Sequence, residues 1–130
     1  MYYFAYGSNL SKRQMLERCP DSMPKFTTVL PNYKLIFTGW SRIWKGGVAT
    51  IKRFSGGKVF GAVYEVSEQC LRRLDTYEKG YNRLNVIVFN EDSGPVEAVT
   101  YARSGQVEET KPAKEYIALI QQGYRDWGIV

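Results

Sequence analysis

Hydrophobic and polar positions change their period several times along this chain. Tyr2–Tyr6 is a short aromatic run that stops at Gly7, the pattern of a buried strand. Ser8 or Asn9 can cap a helix over Ser11–Arg18, with Met15 and Leu16 facing inward. Pro20 and Pro24 bracket a loop, and residues 26–38 hold two strand-like runs broken at Pro31-Asn32. "VATIKRF" and "KVFGAVYEV", on either side of Gly56-Gly57, predict an antiparallel hairpin. Ser67 caps a helix over "SEQCLRRLDTYE", and "LNVIVF" and "VEAVTYAR" are strands joined by "NEDSGP". Thr110 and Pro112 open a last helix to about Gln122, with Tyr116, Ile120 and Gly123 on one stripe. Strands dominate in hairpin-like order. The expected fold is one α+β domain over residues 1–130, small, mixed and mainly antiparallel, closed into a β-barrel with surrounding helices.

Composition narrows the chemistry. With 44% hydrophobic and 24% charged residues, the 130-residue chain can bury a core of its own. It has no histidine, which removes Ser-His and Cys-His nucleophilic machinery and the commonest metal ligand. Cys19 and Cys70 lie far apart and are read as reduced, structural residues. Acid–base work near neutral pH therefore falls to a group whose pKa its surroundings have moved. The net charge of +5 is scattered and forms no dense basic run, so it does not imply nucleic acid. No window approaches the ~20 apolar residues of a membrane span, and the default residence is cytoplasmic.

Two polar features stand out. Leu71, Leu74 and Glu78 are spaced i, i+3, i+7, which puts Glu78 on the apolar face of its helix. An inward carboxylate is costly when ionised, and burial raises its pKa. The competing reading ends the helix at Glu78, before Lys79-Gly80, and returns the side chain to water; periodicity does not separate the two. The second feature is Gly7-Ser8-Asn9, a glycine corner leading toward a helix. It reads either as a plain turn or as a row of backbone donors for a carboxylate or an oxyanion. Trp40, Trp44 and Trp127 are read as packing residues, and Arg83 as the partner of an acid.

"YFAYGSNL" closely resembles the signature of the gamma-glutamylcyclotransferase family, with its AIG2-like and BtrG-like relatives. "GGVATI" at 46–51, "VFGAVYEV" at 59–66, "LDTYEKGYNR" at 74–83, "VTYA" around Tyr101 and the helix start at Pro112–Tyr116 match in the family's order. Lys79 stands where the family often has glycine. The resemblance implies the family's barrel-based fold and cleavage of a γ-glutamyl amide by the substrate's own α-amine. The products are 5-oxoproline and a released amine or amino acid. It places the catalytic acid–base on Glu78 and substrate binding on Tyr3, Tyr6, Gly7, Ser8, Asn9, Leu10, Tyr101 and Tyr116. It calls for no cofactor and no metal. It implies a small-molecule γ-glutamyl substrate, no nucleic-acid or membrane partner, and admits a homodimer. Two alternatives stay open: a cyclotransferase acting on a γ-glutamylated carrier or specialised metabolite, and a non-catalytic ligand- or nucleic-acid-binding module on the same fold.

Overall fold

A computed structural model describes residues 1–103 and 108–129. In chain order the elements are β1 (Tyr2–Ala5), a 3-10 turn (Ser8–Leu10), α1 (Lys12–Arg18), β2 (Met23–Ser41), β3 (Gly46–Glu65), α2 (Glu68–Tyr77), β4 (Asn82–Asn90), β5 (Gly94–Ala102) and α3 (Lys114–Trp127). The strands form one mixed, mostly antiparallel sheet in the order β2-β3-β1-β5-β4. Among the described residues only the β1–β5 pairing is parallel, at Tyr3 and Val99. The α+β class holds, but the sheet is open and "barrel" describes it only loosely. Its two edges approach through a side chain: Thr28 Oγ1 donates to the Phe89 carbonyl at 2.8 Å.

The two-residue period of β1 divides the core. Tyr3 and Ala5 pack with Leu10, Met15, Leu71 and Leu74, under α1 and α2. Phe4 and Tyr6 pack with Val63, Val86, Val88, Tyr116 and Ile120, within the curl of the sheet and under α3. β4 shows the same alternation, with Val86 and Val88 buried and Ile87 and Phe89 exposed.

Five expectations need correction. Gly56-Gly57 is no hairpin, because β3 runs through it and both flanking runs pair with β2. The register steps from Pro31↔Lys58 to Tyr33↔Arg53, with Asn32 and Gly56 at positive φ and the Asn32 side chain accepting from the Gly56 amide. The cap of α1 is Ser11, whose Oγ accepts from the Gln14 amide; Ser8 and Asn9 form the 3-10 turn before it. Leu16 is 57% exposed and Trp40 66% exposed, so neither packs inward. Cys19 and Cys70 form a disulfide that ties the end of α1 to the first turn of α2, their Cα atoms 5.3 Å apart. A separation of 51 residues hid a contact that exists only once the two helices pack side by side.

α3 runs five residues past its expected end at Gln122 and stops at Gly128, which is left-handed (φ 68°). Its buried stripe is Tyr116, Ile120 and Gly123. Gly123 is there for closeness: a Cβ at that position would lie 2.5 Å from Leu10 Cβ. α3 thereby presses directly on the 3-10 turn. Trp127 reinforces the contact, donating from Nε1 to the Leu10 carbonyl at 3.0 Å. Gly123→Ala is expected to destabilise the protein by about 1–3 kcal/mol through overpacking. Leu16→Ala, on the surface, should stay within about 0.5 kcal/mol of the parent. Urea unfolding of both variants checks this, and a Gly123→Ala protein as stable as the parent would contradict the close packing.

Candidate active site

The corner that follows β1 is a tight 3-10 turn. Leu10 N–H donates to the Gly7 carbonyl at 3.1 Å and Ser11 N–H to the Ser8 carbonyl at 3.0 Å. That leaves the amides of Ser8 and Asn9 at the open start of the turn, outside its internal hydrogen bonding. Gly7 has an ordinary negative φ, so its role is again close approach: a Cβ there would sit 3.3 Å from Ala49 Cβ and 3.8 Å from the Tyr116 hydroxyl. Tyr64, buried beneath the turn, donates its hydroxyl to the Asn9 carbonyl at 2.8 Å.

Glu78 reaches the turn from the end of α2. The helix stops at Tyr77, and Glu78 is its C-cap, with its N–H still bonded to the Leu74 carbonyl at 2.9 Å. Both readings of Glu78 are therefore half right: the helix has ended, yet the half-buried carboxylate faces a cavity with Tyr3, Tyr6, Gly7, Ser8 and Asn9. Lys79 is exposed, and Gly80 (φ 83°) supplies the reversal that lets Tyr81 N–H bond back to the Glu78 carbonyl at 3.1 Å. The Asn9 side chain bridges the two parts of the site. Its Nδ2 donates to the Tyr3 hydroxyl at 3.0 Å and to Glu78 Oε1 at a longer 3.4 Å. Burial pushes the Glu78 carboxyl above its ordinary pKa, and the Arg18 cation opposes that rise.

Ala49, Tyr81, Tyr101 and Tyr116 complete the lining. β1 pairs only with residues 62–65 of β3, and at Ala49 the edge of β3 away from β2 meets side chains. Two hydroxyls stand where a further strand would: Tyr116 accepts from the Ala49 N–H at 2.9 Å, and Tyr81 donates to the Ala49 carbonyl. Counting protons separates the tyrosines. Tyr6 gives its proton to the Tyr101 carbonyl and Tyr81 gives its own to Ala49. Tyr101 spends its one proton away from the cavity, where Asp75 Oδ1 lies at 2.6 Å and the Leu71 carbonyl at 3.0 Å. Tyr3 and Tyr116 each accept a hydrogen bond from a protein N–H, which leaves their own protons for whatever occupies the cavity. All five hydroxyls are held above their ordinary pKa, chiefly by burial, and stay neutral.

The cavity holds about 40 Å³, room for the slim end of a substrate. Of the nine site residues expected from the sequence, eight line it; Leu10 lies beneath the turn with its amide already bonded. Arg83 has its acid partners, meeting Asp75 at 2.7 Å and Glu68 at 3.1 Å. Tyr81, Ala49, Tyr64, Gln14 and Arg18 were missed. A signal for the last pair existed, since Gln14 and Arg18 are i, i+4 on α1 and both donate to Asn9 Oδ1 at 3.0 Å. A larger groove of about 980 Å³ lies elsewhere, between β3, β4 and β5, and Glu78 is not on it. Among the described residues no group of His, Cys, Asp and Glu could hold a metal ion, and no helix is long and apolar enough to cross a membrane.

An α+β sheet whose truncated central strand leads into a donor-rich turn opposite a helix-end carboxylate defines an enzyme of the gamma-glutamylcyclotransferase class. The chain belongs to the family described as "Gamma-glutamyl cyclotransferase, AIG2-like", whose model matches residues 3–126. It is 30% identical over 135 residues to a Bos taurus gamma-glutamylcyclotransferase, covering 98% of this chain and 71% of that protein. The Homo sapiens gamma-glutamylcyclotransferase is 28% identical over the same shares. A solved gamma-glutamyl cyclotransferase structure superposes with a TM-score of 0.93 at 28% identity, covering 99% of this chain and 80% of that one.

The raised Glu78 pKa has a consequence for stability. In the window between an ordinary glutamate pKa, about 4.3, and the raised value, the folded state binds more protons than the unfolded state. Stability from this group is therefore present at low pH and lost as pH rises through the window. Glu78→Gln removes that loss, so its melting temperature should exceed the parent's at pH 7, and the difference should shrink toward pH 4. A difference independent of pH would contradict the burial of an ionisable carboxylate here.

Proposed function

We propose that this enzyme cleaves γ-glutamyl amides by cyclisation, with Glu78 as the general acid–base. The observation that carries the reading is the meeting of the Glu78 carboxylate and the Gly7–Asn9 turn in one narrow cavity, joined through Asn9. Glu78 takes a proton from the substrate's α-ammonium. The freed amine attacks the γ-carbonyl carbon, and a tetrahedral oxyanion forms. The protonated Glu78 then gives its proton to the departing nitrogen as the C–N bond breaks, and the ring nitrogen, which still carries two protons after the attack, passes the second one through Glu78 to the released amine, which leaves as its ammonium. The products are 5-oxoproline and the released amine or amino acid. The substrate is its own nucleophile, consistent with a chain that lacks histidine.

The protein's work is to fold the substrate and stabilise charge. Well-oriented ring closures reach effective molarities of about 10⁵–10⁸ M. The Ser8 and Asn9 amides and the Tyr3 and Tyr116 hydroxyls are the donors available to the oxyanion and the glutamyl carboxylate, and loss of one oxyanion donor costs roughly 3–4 kcal/mol. Tyr6 and Tyr101 wall the cavity, and Leu10 supports the turn from below.

The test is a panel of γ-glutamyl amino acids and γ-glutamyl amines assayed for 5-oxoproline. At least one should turn over, and Glu78→Gln should lower kcat/KM at least ~100-fold, the lower end of what a positioned acid–base supplies. No 5-oxoproline from any member, or a Glu78→Gln enzyme at the parent rate, would contradict the proposal.

A further inference from the structure

The acid–base reading makes Asn9 the link between turn and carboxylate, and Asn9 is useful only one way round. Its Nδ2 must face Glu78; a flipped amide would set a carbonyl oxygen against a carboxylate. Two side chains on α1 decide the orientation. Gln14 Nε2 donates to Asn9 Oδ1 at 3.0 Å and also to Ser8 Oγ at 2.8 Å, which anchors Gln14 to the turn. Arg18 Nη1 donates to Asn9 Oδ1 at 3.0 Å. With two donors on Oδ1, only Nδ2 can face Tyr3 and Glu78.

Arg18 brings a charge as well as a hydrogen bond. Its guanidinium stacks 4.5 Å above the ring of Tyr77, the last residue of α2 and the one before Glu78. It forms no ion pair among the described residues, while Arg13, Lys25, Arg73 and Arg83 all do. Its backbone neighbour, Cys19, is disulfide-bonded to α2, so the helix end carrying Arg18 is tied to the helix that carries Glu78. The ionisable groups facing Glu78 from the other elements are tyrosines: Tyr3 and Tyr6 around β1, Tyr81 after α2, Tyr101 on β5 and Tyr116 on α3. All are neutral near pH 7. Arg103 lies over the Tyr81 ring at 5.6 Å, with its guanidinium beside Gly80.

We propose that Gln14 and Arg18 are positioning residues of this site. Together they lock the Asn9 amide with its Nδ2 toward Glu78, and Arg18 supplies the cation against which the working carboxylate ionises. Neither lines the cavity: Gln14 acts through Asn9 and Ser8, and Arg18 acts through Asn9 and through its charge. The inference rests on Glu78 being the base. It adds that the base and its partner are set from α1, an element outside the catalytic cavity.

The two residues have separable signatures. Arg18→Gln keeps a donor but loses the charge. The acidic limb of its kcat/KM–pH profile should move up by about 0.5–1 unit, toward the lower end of what a nearby opposite charge contributes, with R18K restoring the limb. Gln14→Met keeps the charge and loses one anchor. It loses the hydrogen bonds to Asn9 and Ser8 and should lower kcat/KM at least about 3–10-fold, the effect of one lost neutral hydrogen bond, without moving the limb. Both profiles are run with whichever γ-glutamyl amide of the panel turns over fastest. An R18Q limb at the parent's position, or a Gln14→Met enzyme at the parent rate, overturns the inference while leaving Glu78 as base. Should R18Q not fold, Q14M and R18K decide it: R18K must keep the parent limb and Q14M must lose rate. A Glu78→Gln enzyme that retains full activity marks the separate failure of the reading underneath.

Discussion

β1 is four residues long, and the strand beside it is twenty. That mismatch is the constraint on which the site depends. An unpaired stretch inside a sheet must find hydrogen-bond partners or remain costly. Beyond the four residues that β1 pairs, β3 meets tyrosine hydroxyls at Ala49 instead of a backbone. Side chains fill a gap less completely than a strand does, and the space left over is the cavity. The same early stop turns the chain at Gly7 and brings the Ser8 and Asn9 amides to that space. α3 then fixes the turn from outside through Gly123 and Trp127, and Tyr64 holds it from beneath.

The carboxylate enters this frame at a cost. A half-buried Glu78 resists ionisation, and the base role proposed for it near neutral pH requires that part of that resistance be offset. The opposing influences lie on different helices: desolvation at the end of α2, and a cation at the end of α1. The Cys19–Cys70 link and the packing of both helices on Tyr3, Leu10 and Leu71 keep the two in register. The aromatic character of the chain has its explanation here as well. Tyrosine provides ring area to build walls and one proton to satisfy a backbone group or to offer a ligand.

Much of this was legible in the chain itself. The alternation of β4 and β5, the Ser67 cap and the stripe of α3 follow from local rules, and the structure keeps them. The spacing of Glu78 to Leu71 and Leu74 offered an inward carboxylate but did not separate it from a helix end with the side chain in water, and the structure combines a helix end with an inward side chain. What failed did so where tertiary pairing overrides local pattern. Gly56-Gly57 carries the marks of a hairpin turn, yet β2 is long enough to pair with the runs on both sides of it. The disulfide, the Tyr81–Ala49–Tyr116 arrangement and the Arg18–Asn9 contact join side chains from separate elements, and no periodicity encodes which partner on another element a side chain will meet. Leu10 belongs with the turn's residues in sequence, but a 3-10 hydrogen bond takes up its amide and α3 covers its side chain.

The sharpest check on this arrangement is a crystal structure of the Glu78→Gln variant soaked with a γ-glutamyl amide. The γ-carbonyl oxygen is expected within hydrogen-bond distance of the Ser8 or Asn9 amide, with the α-nitrogen beside the substituted side chain at position 78. A ligand seated instead in the larger groove lined by Lys52, Arg53 and Arg103, with the cavity at Gly7 empty, would contradict it.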